Sequence, residues 1–127
     1  MRSYFKEVDN PTDEELERWA RDPNAMQPHE DWDIIIATIE KVPIFLQLIA
    51  DPECKHKRVF VECLRAVVRL YDLERDQKAA VEFIKALRKS QDNELKLIAD
   101  NFEEKIIRLE IVMKPLREHD QRKIRRS

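Results

Sequence analysis

Apolar residues along this 127-residue chain recur at helical intervals. No stretch alternates with a period of two over a useful length, as a half-buried strand would. Thr12 followed by Glu15 has the form of a capping box. A first helix is predicted from there to about Arg21, presenting Leu16, Trp19 and Ala20 and ended by Asp22-Pro23-Asn24. A loop with Pro28 leads to a second helix over about 29–41. Glu30, Asp31 and Asp33 sit in its first turn, where the helix dipole favours carboxylates, and Trp32, Ile35, Ile36 and Ile39 form its stripe. Pro43 suits the first turn of a third helix, which shows Leu46, Ile49 and Ala50 and stops at Asp51-Pro52.

The second half is less punctuated. A fourth helix over about 55–72 carries Phe60, Cys63, Leu64, Val67, Val68 and Tyr71 at clear helical spacing, widened by Val59, Val61 and Leu70, which predicts the most buried helix of the chain. A fifth, about 75–89, shows Ala80, Phe83, Ile84 and Leu87. Asp92 can cap a sixth over about 93–114, with Leu95, Ile98, Phe102, Ile106, Leu109 and Met113 on one face. The expected organisation is a single helical domain over residues 1–114 and a basic C-terminal tail over 115–127, which either frays or continues as helix past Pro115. The fold class is all-α: about six helices, arranged as stacked antiparallel hairpins or as a compact bundle.

One stretch suggests which of the two. Val42-Pro43-Ile44-Phe45-Leu46-Gln47-Leu48-Ile49-Ala50-Asp51-Pro52, followed by Lys57-Arg58 and Leu64, Val67 and Val68, resembles a HEAT-type repeat over about residues 42–72. In that family the first helix carries a proline, an Asp stands at the turn, and a basic residue opens the second helix. Pro43, Asp51 and Arg58 fall near those places. Arg21-Asp22-Pro23 repeats the turn earlier in the chain. Leu46-Gln47-Leu48-Ile49-Ala50-Asp51 recurs as Leu95-Lys96-Leu97-Ile98-Ala99-Asp100, but on a second helix rather than a first, out of that register. The resemblance implies a helical scaffold for protein binding.

Composition narrows the chemistry. Glycine is absent. Loops that cradle phosphates need it for close backbone approach and positive φ, so a P-loop, a dinucleotide fingerprint, a kinase glycine loop and a nucleophile elbow are all excluded. Hydrophobic residues at 43% supply a core, and a disordered chain would carry fewer. The net charge of −2 gives no general attraction to nucleic acid or membrane. Its distribution is uneven: residues 1–33 hold 4 basic and 10 acidic groups, residues 114–127 hold 6 and 2, and the middle is balanced. The N-terminus has no apolar signal segment, and no apolar run is long enough to span a bilayer. Cys54 and Cys63 are nine residues apart. About 13 Å of helix axis between them is too far for a bridge. Reduced thiols and a cytoplasmic setting are expected.

Candidate sites follow from charge and histidine placement. Lys55, Arg58, Arg65 and Arg69, interrupted by Glu62, lie on one side of the fourth helix. They form either a solvated face or a surface that receives an acidic or phosphate-bearing protein partner. His29 and Asp33 share a helical face and, with His56, could serve a small metal-dependent enzyme. Against this, Glu53-x-x-His56 is a lone half of a di-iron pattern, and no fourth ligand stands at a zinc spacing from Cys54, His56 and Cys63. No cofactor or metal is therefore assigned, and no catalytic residue. The tail residues Arg117, Arg122, Lys123, Arg125 and Arg126 could touch nucleic acid, but no aromatic residue accompanies them for stacking. Leu95, Phe102, Leu109 and Leu116, with Ala99, Ile106 and Met113 four positions behind, keep a seven-residue spacing. They form either a core face or a homodimer seam through the helix at about 93–114. The reading that results is a non-enzymatic helical interaction module.

Overall fold

The computed structural model describes residues 4–126, with side chains described as far as Ile111. It is all-α: six helices and one 3-10 turn, with no strand among the described residues. The helices are α1 (Asp13–Arg21), α2 (Trp32–Ile35), α3 (Val42–Ala50), α4 (Lys57–Arg69), α5 (Gln77–Arg88) and α6 (Asn93–Arg126), and the 3-10 turn Ile39–Lys41 precedes α3. The chain divides into two compact units, one ending at Tyr71 and the other starting at Asp72.

In the first unit α4 packs against both α2 and α3, and α1 packs on α3. The capping box at α1 is formed in both directions. Thr12 Oγ1 accepts the Glu15 N–H at 3.2 Å, and Glu15 Oε1 accepts the Thr12 N–H at 3.0 Å. Two of the helix's unsatisfied amides are thereby paired. The core is aromatic. Trp19, Trp32, Phe45 and Phe60 are each at most 1% exposed. Trp19 and Trp32 meet edge-on at 4.9 Å, and Phe60 meets Trp19 edge-on at 5.9 Å. Both indole N–H groups are satisfied inside: Trp19 Nε1 donates to the Met26 carbonyl at 3.0 Å and Trp32 Nε1 to the Val8 carbonyl at 2.8 Å.

The second helix is far shorter than the 29–41 expected. Helical structure is confined to Trp32–Ile35, and the chain re-enters through the 3-10 turn, which runs directly into α3. Three consecutive isoleucines and Thr38 are β-branched and lose side-chain freedom in a helix. Breaking the helix also changes which residues are buried. Trp32, Ile36, Ala37 and Ile39 are buried, whereas Ile35, expected on the stripe, is 41% exposed. Pro43 does occupy the first turn of α3. The buried face of that helix is Ile44, Phe45, Leu48 and Ile49 rather than Leu46 and Ala50, because α3 is covered on more than one side, by α1 and α4.

The α1 and α3 termini are alike. Both end at an Asp-Pro pair with extended backbone at the Asp, and each carboxylate accepts the N–H two residues on: Asn24 for Asp22 and Glu53 for Asp51, both at 2.9 Å. This local turn competes with continued helix. The two turns lie together, since Arg21 reaches Asp51 at 3.5 Å and the Lys55 N–H donates to the Ala20 carbonyl at 2.7 Å.

In the second unit α5 packs on α6. Ala80, Phe83 and Leu87 face Leu95, Ile98, Ala99 and Phe102 in a buried layer, with Phe83 and Phe102 edge-on at 5.1 Å. Arg88 bridges to Asp100 and Glu103 on α6. Asp92 caps α6 as expected, Oδ1 accepting the Glu94 N–H at 2.8 Å. The backbone of α6 stays helical beyond 114 and past Pro115, to Arg126. At 1.5 Å per residue it is about 51 Å long, nearly three times the length of α5.

Candidate functional site

The polar row expected on the fourth helix is real for most of its members. Arg58, Glu62, Arg65 and Arg69 fall at i, i+4, i+7 and i+11 on α4, within a narrow arc. The opposite arc holds Phe60, Cys63, Leu64 and Val67, all buried. That opposition fixes the row outward, because rotating α4 would bring guanidinium groups into an aromatic core. The Arg58 side chain is 64% exposed and pairs with Glu62 at 2.9 Å. Arg69 is exposed, and Arg65 is half-buried. Lys55 departs from expectation. It precedes α4, which starts at Lys57, and sits in the turn where its N–H is bonded to Ala20. The turn after Asp51-Pro52 delays the helix start, so Lys55 is an exposed flank of the row rather than part of it.

The three residues considered for metal chemistry are not brought together. His29 is exposed and stands before α2, so it shares no helical face with Asp33. His56 is half-buried in structural use. Its ring stacks on Trp19 at 4.3 Å, and Nε2 donates to the Asp22 carbonyl at 2.6 Å, which places the Nε2 proton. Among the described residues no group of three His, Cys, Asp or Glu side chains could hold a metal ion. Cys54 and Cys63 are free and buried. Burial pushes both thiols up, Cys63 far up with help from the Asp33 and Glu62 charges, so neither is a ready nucleophile. In the seven-residue seam, Leu95, Ala99 and Phe102 belong to the core of their own unit, and Ile106 and Leu109 are half-buried. Met113, Leu116 and the basic tail side chains lie outside the described residues. Among the described residues no helix is long and apolar enough to cross a membrane.

A second polar arrangement is not visible in the sequence. Glu15, 8% exposed, also binds the segment preceding α1: its Oε2 accepts the Lys6 N–H at 2.6 Å. The bonds from Thr12 and then from Lys6 hold its carboxyl below the usual carboxylate range. Asp22 is likewise held down, first by the Tyr4 hydroxyl and then by the Asn24 N–H. The only advance signal was the capping box, which accounts for one of the two Glu15 oxygens. Asp76 was missed altogether. It is 4% exposed at the start of α5, where it accepts the Asp72 N–H at 3.0 Å and two Arg75 bonds at 2.8 and 3.0 Å.

Carboxyls depressed in the folded state contribute stability above the unfolded carboxylate range and lose it as pH falls through their folded values. The melting temperature should therefore drop on acidification from about pH 5 to about pH 3. Glu15→Gln, which keeps an acceptor oxygen without the charge, should show a shallower drop in circular dichroism melts. An identical slope would remove Glu15 from the account.

No protein-family model matches this chain, and neither a curated protein nor a solved structure does.

Proposed function

We propose that this chain is a non-enzymatic, cytoplasmic interaction module, and that the outward face of α4, on the HEAT-like helix pair at 42–72, receives an acidic segment of a protein partner. The observation that carries this reading is the opposition on α4: one arc immobilised in the aromatic core, the other presenting Arg58, Arg65 and Arg69 in a row about 16 Å long. A rigid rod holds the guanidinium forks at fixed spacing, and such forks bind carboxylates and phosphates in two-point contacts. Lys55 and Lys57 extend the positive field at the helix start. Glu62 subtracts from it and holds Arg58 in line. A partner carboxylate would compete with the contacts that Arg65 and Arg69 already make, so binding by exchange is expected, weakened by salt.

The test is charge reversal. Arg65→Glu with Arg69→Glu should leave the helical circular dichroism intact, because neither side chain is a core residue. The same pair should abolish retention of partners in affinity purification from the native cell. It should also remove the chemical-shift changes that a glutamate-rich peptide produces at α4. Partners and shifts unchanged by the reversal would end the proposal.

A further inference from the structure

We propose that the apolar seat formed by the touching Trp19 and Trp32 rings is a docking site for a partner peptide with an aromatic anchor, covered in this chain by its own N-terminal segment, residues 4–11. That segment has no helix and no strand, yet it is held at Tyr4, Phe5, Lys6, Val8 and Pro11. The Phe5 ring is 5% exposed, seated 4.8 Å from Trp32 and 6.4 Å from Trp19. The Lys6 N–H is taken by Glu15, the Val8 carbonyl by Trp32 Nε1, and the Pro11 carbonyl by Lys41 Nζ at 2.7 Å. The Tyr4 hydroxyl meets the Asp22 carboxylate. Meanwhile the side chains of Lys6, Glu7, Asp9 and Asn10 stay exposed.

The division of labour is that of peptide recognition. One side chain fills a pocket, and side chains on the receptor satisfy the ligand's main chain. Trp32 and Lys41 pair with carbonyls that any residue supplies, and Glu15 with an N–H that any residue but proline supplies. Side-chain demands fall on Phe5, which fills the aromatic seat, on Pro11, which is fully buried, and on the Tyr4 hydroxyl at Asp22. The receptor groups stand on α1, α2 and the turn before α3, so they persist when the segment leaves. The segment itself makes none of the bonds of a helix or sheet, so its release is a local opening rather than global unfolding. The occupant this chemistry selects is a segment with a bulky aromatic residue and a free carbonyl three residues further on. Such a ligand meets a seat already covered by a tethered competitor, whose effective concentration is in the millimolar range for a short tether. Its apparent affinity is reduced accordingly until the tethered segment is displaced.

Trp19 and Trp32 are the only tryptophans of the chain, so they report the seat directly. The probe is a synthetic peptide of residues 1–11, added to the full-length Phe5→Ala protein. The expected result is a shift of tryptophan emission that saturates with peptide. Uptake by the unsubstituted protein should be at least about tenfold weaker, because its own segment competes. A peptide carrying Phe5→Ala should not be taken up by either. A helical Phe5→Ala protein that ignores the peptide overturns the proposal. Should Phe5→Ala unfold, hydrogen exchange on the unsubstituted protein decides: the Lys6 amide must exchange at least about tenfold faster than the Phe60 and Leu64 amides of α4. Equal protection makes the segment part of the cooperative core and overturns the proposal. A concentration-dependent dimer that disappears with Phe5→Ala assigns the seat to a second copy, and overturns the partner reading as well.

Discussion

Phe60→Ala is expected to lower the stability of the first unit by about 3–5 kcal/mol, the range for deleting a fully enclosed aromatic side chain. Phe60 has no exposed surface and is the junction of the core: it touches Trp19 from α1 edge-on and Phe45 from α3 at 6.0 Å, while itself standing on α4. Two helices, α1 and α3, therefore lose their shared contact on a third, α4, at once. A unit of this size has about 4–10 kcal/mol to lose, so the variant should sit near its unfolding midpoint at ordinary temperature. Urea titration followed by tryptophan fluorescence measures this directly, since Trp19 is one of the contacts removed. Phe60→Leu keeps most of the volume and should cost much less. Equal losses for the two variants would show that ring geometry, rather than filled space, sets the contribution.

Phe102→Ala is the corresponding experiment in the second unit, with an expected cost again of about 3–5 kcal/mol. Phe102 is fully buried and meets Phe83 of α5 edge-on. Phe102 belongs to the buried apolar layer that joins α5 to α6. Isolated helices as short as α5 are marginal in water, and the Arg88 bridges to Asp100 and Glu103 are exposed and contribute little. The amides of α5 should therefore lose at least about a hundredfold of hydrogen-exchange protection, since each 1.4 kcal/mol is a factor of about ten. Retained protection in α5 would mean that the pair is held by something other than the Phe83–Phe102 layer.

The α4 row and the Trp19–Trp32 seat differ in how they were read. Arg58, Glu62, Arg65 and Arg69 could be placed on one face from spacing alone, because a helix maps sequence interval onto direction. Lys55 could not, because its place depends on where α4 starts. That start is set by the Asp51 turn and by the Lys55 N–H bond to Ala20 on another helix. Phe5, Glu15 and His56 carry no periodic signal for their partners. Phe5 lies 14 and 27 positions from the indoles it joins, and His56 lies 34 from the carbonyl it binds. The Asp-Pro pairs that end α1 and α3 could be read from local sequence, but nothing local showed the segment laid across Trp19 and Trp32.

By itself the chain's amino-acid order determined the all-α class, the capped start of α1, the proline in the first turn of α3, the Asp-Pro helix ends and the buried stripes of α4, of α5 and of α6 as far as Phe102. Each depends on residues a few positions apart, where side-chain and backbone geometry leave little choice. Only the tertiary structure decided that the second helix breaks after Ile35, which way α3 is turned, where Lys55 stands, and that Phe5 covers the indole seat. Those outcomes depend on which distant surfaces compete for the same apolar side chain, and burial, unlike helical periodicity, has no fixed interval along a sequence.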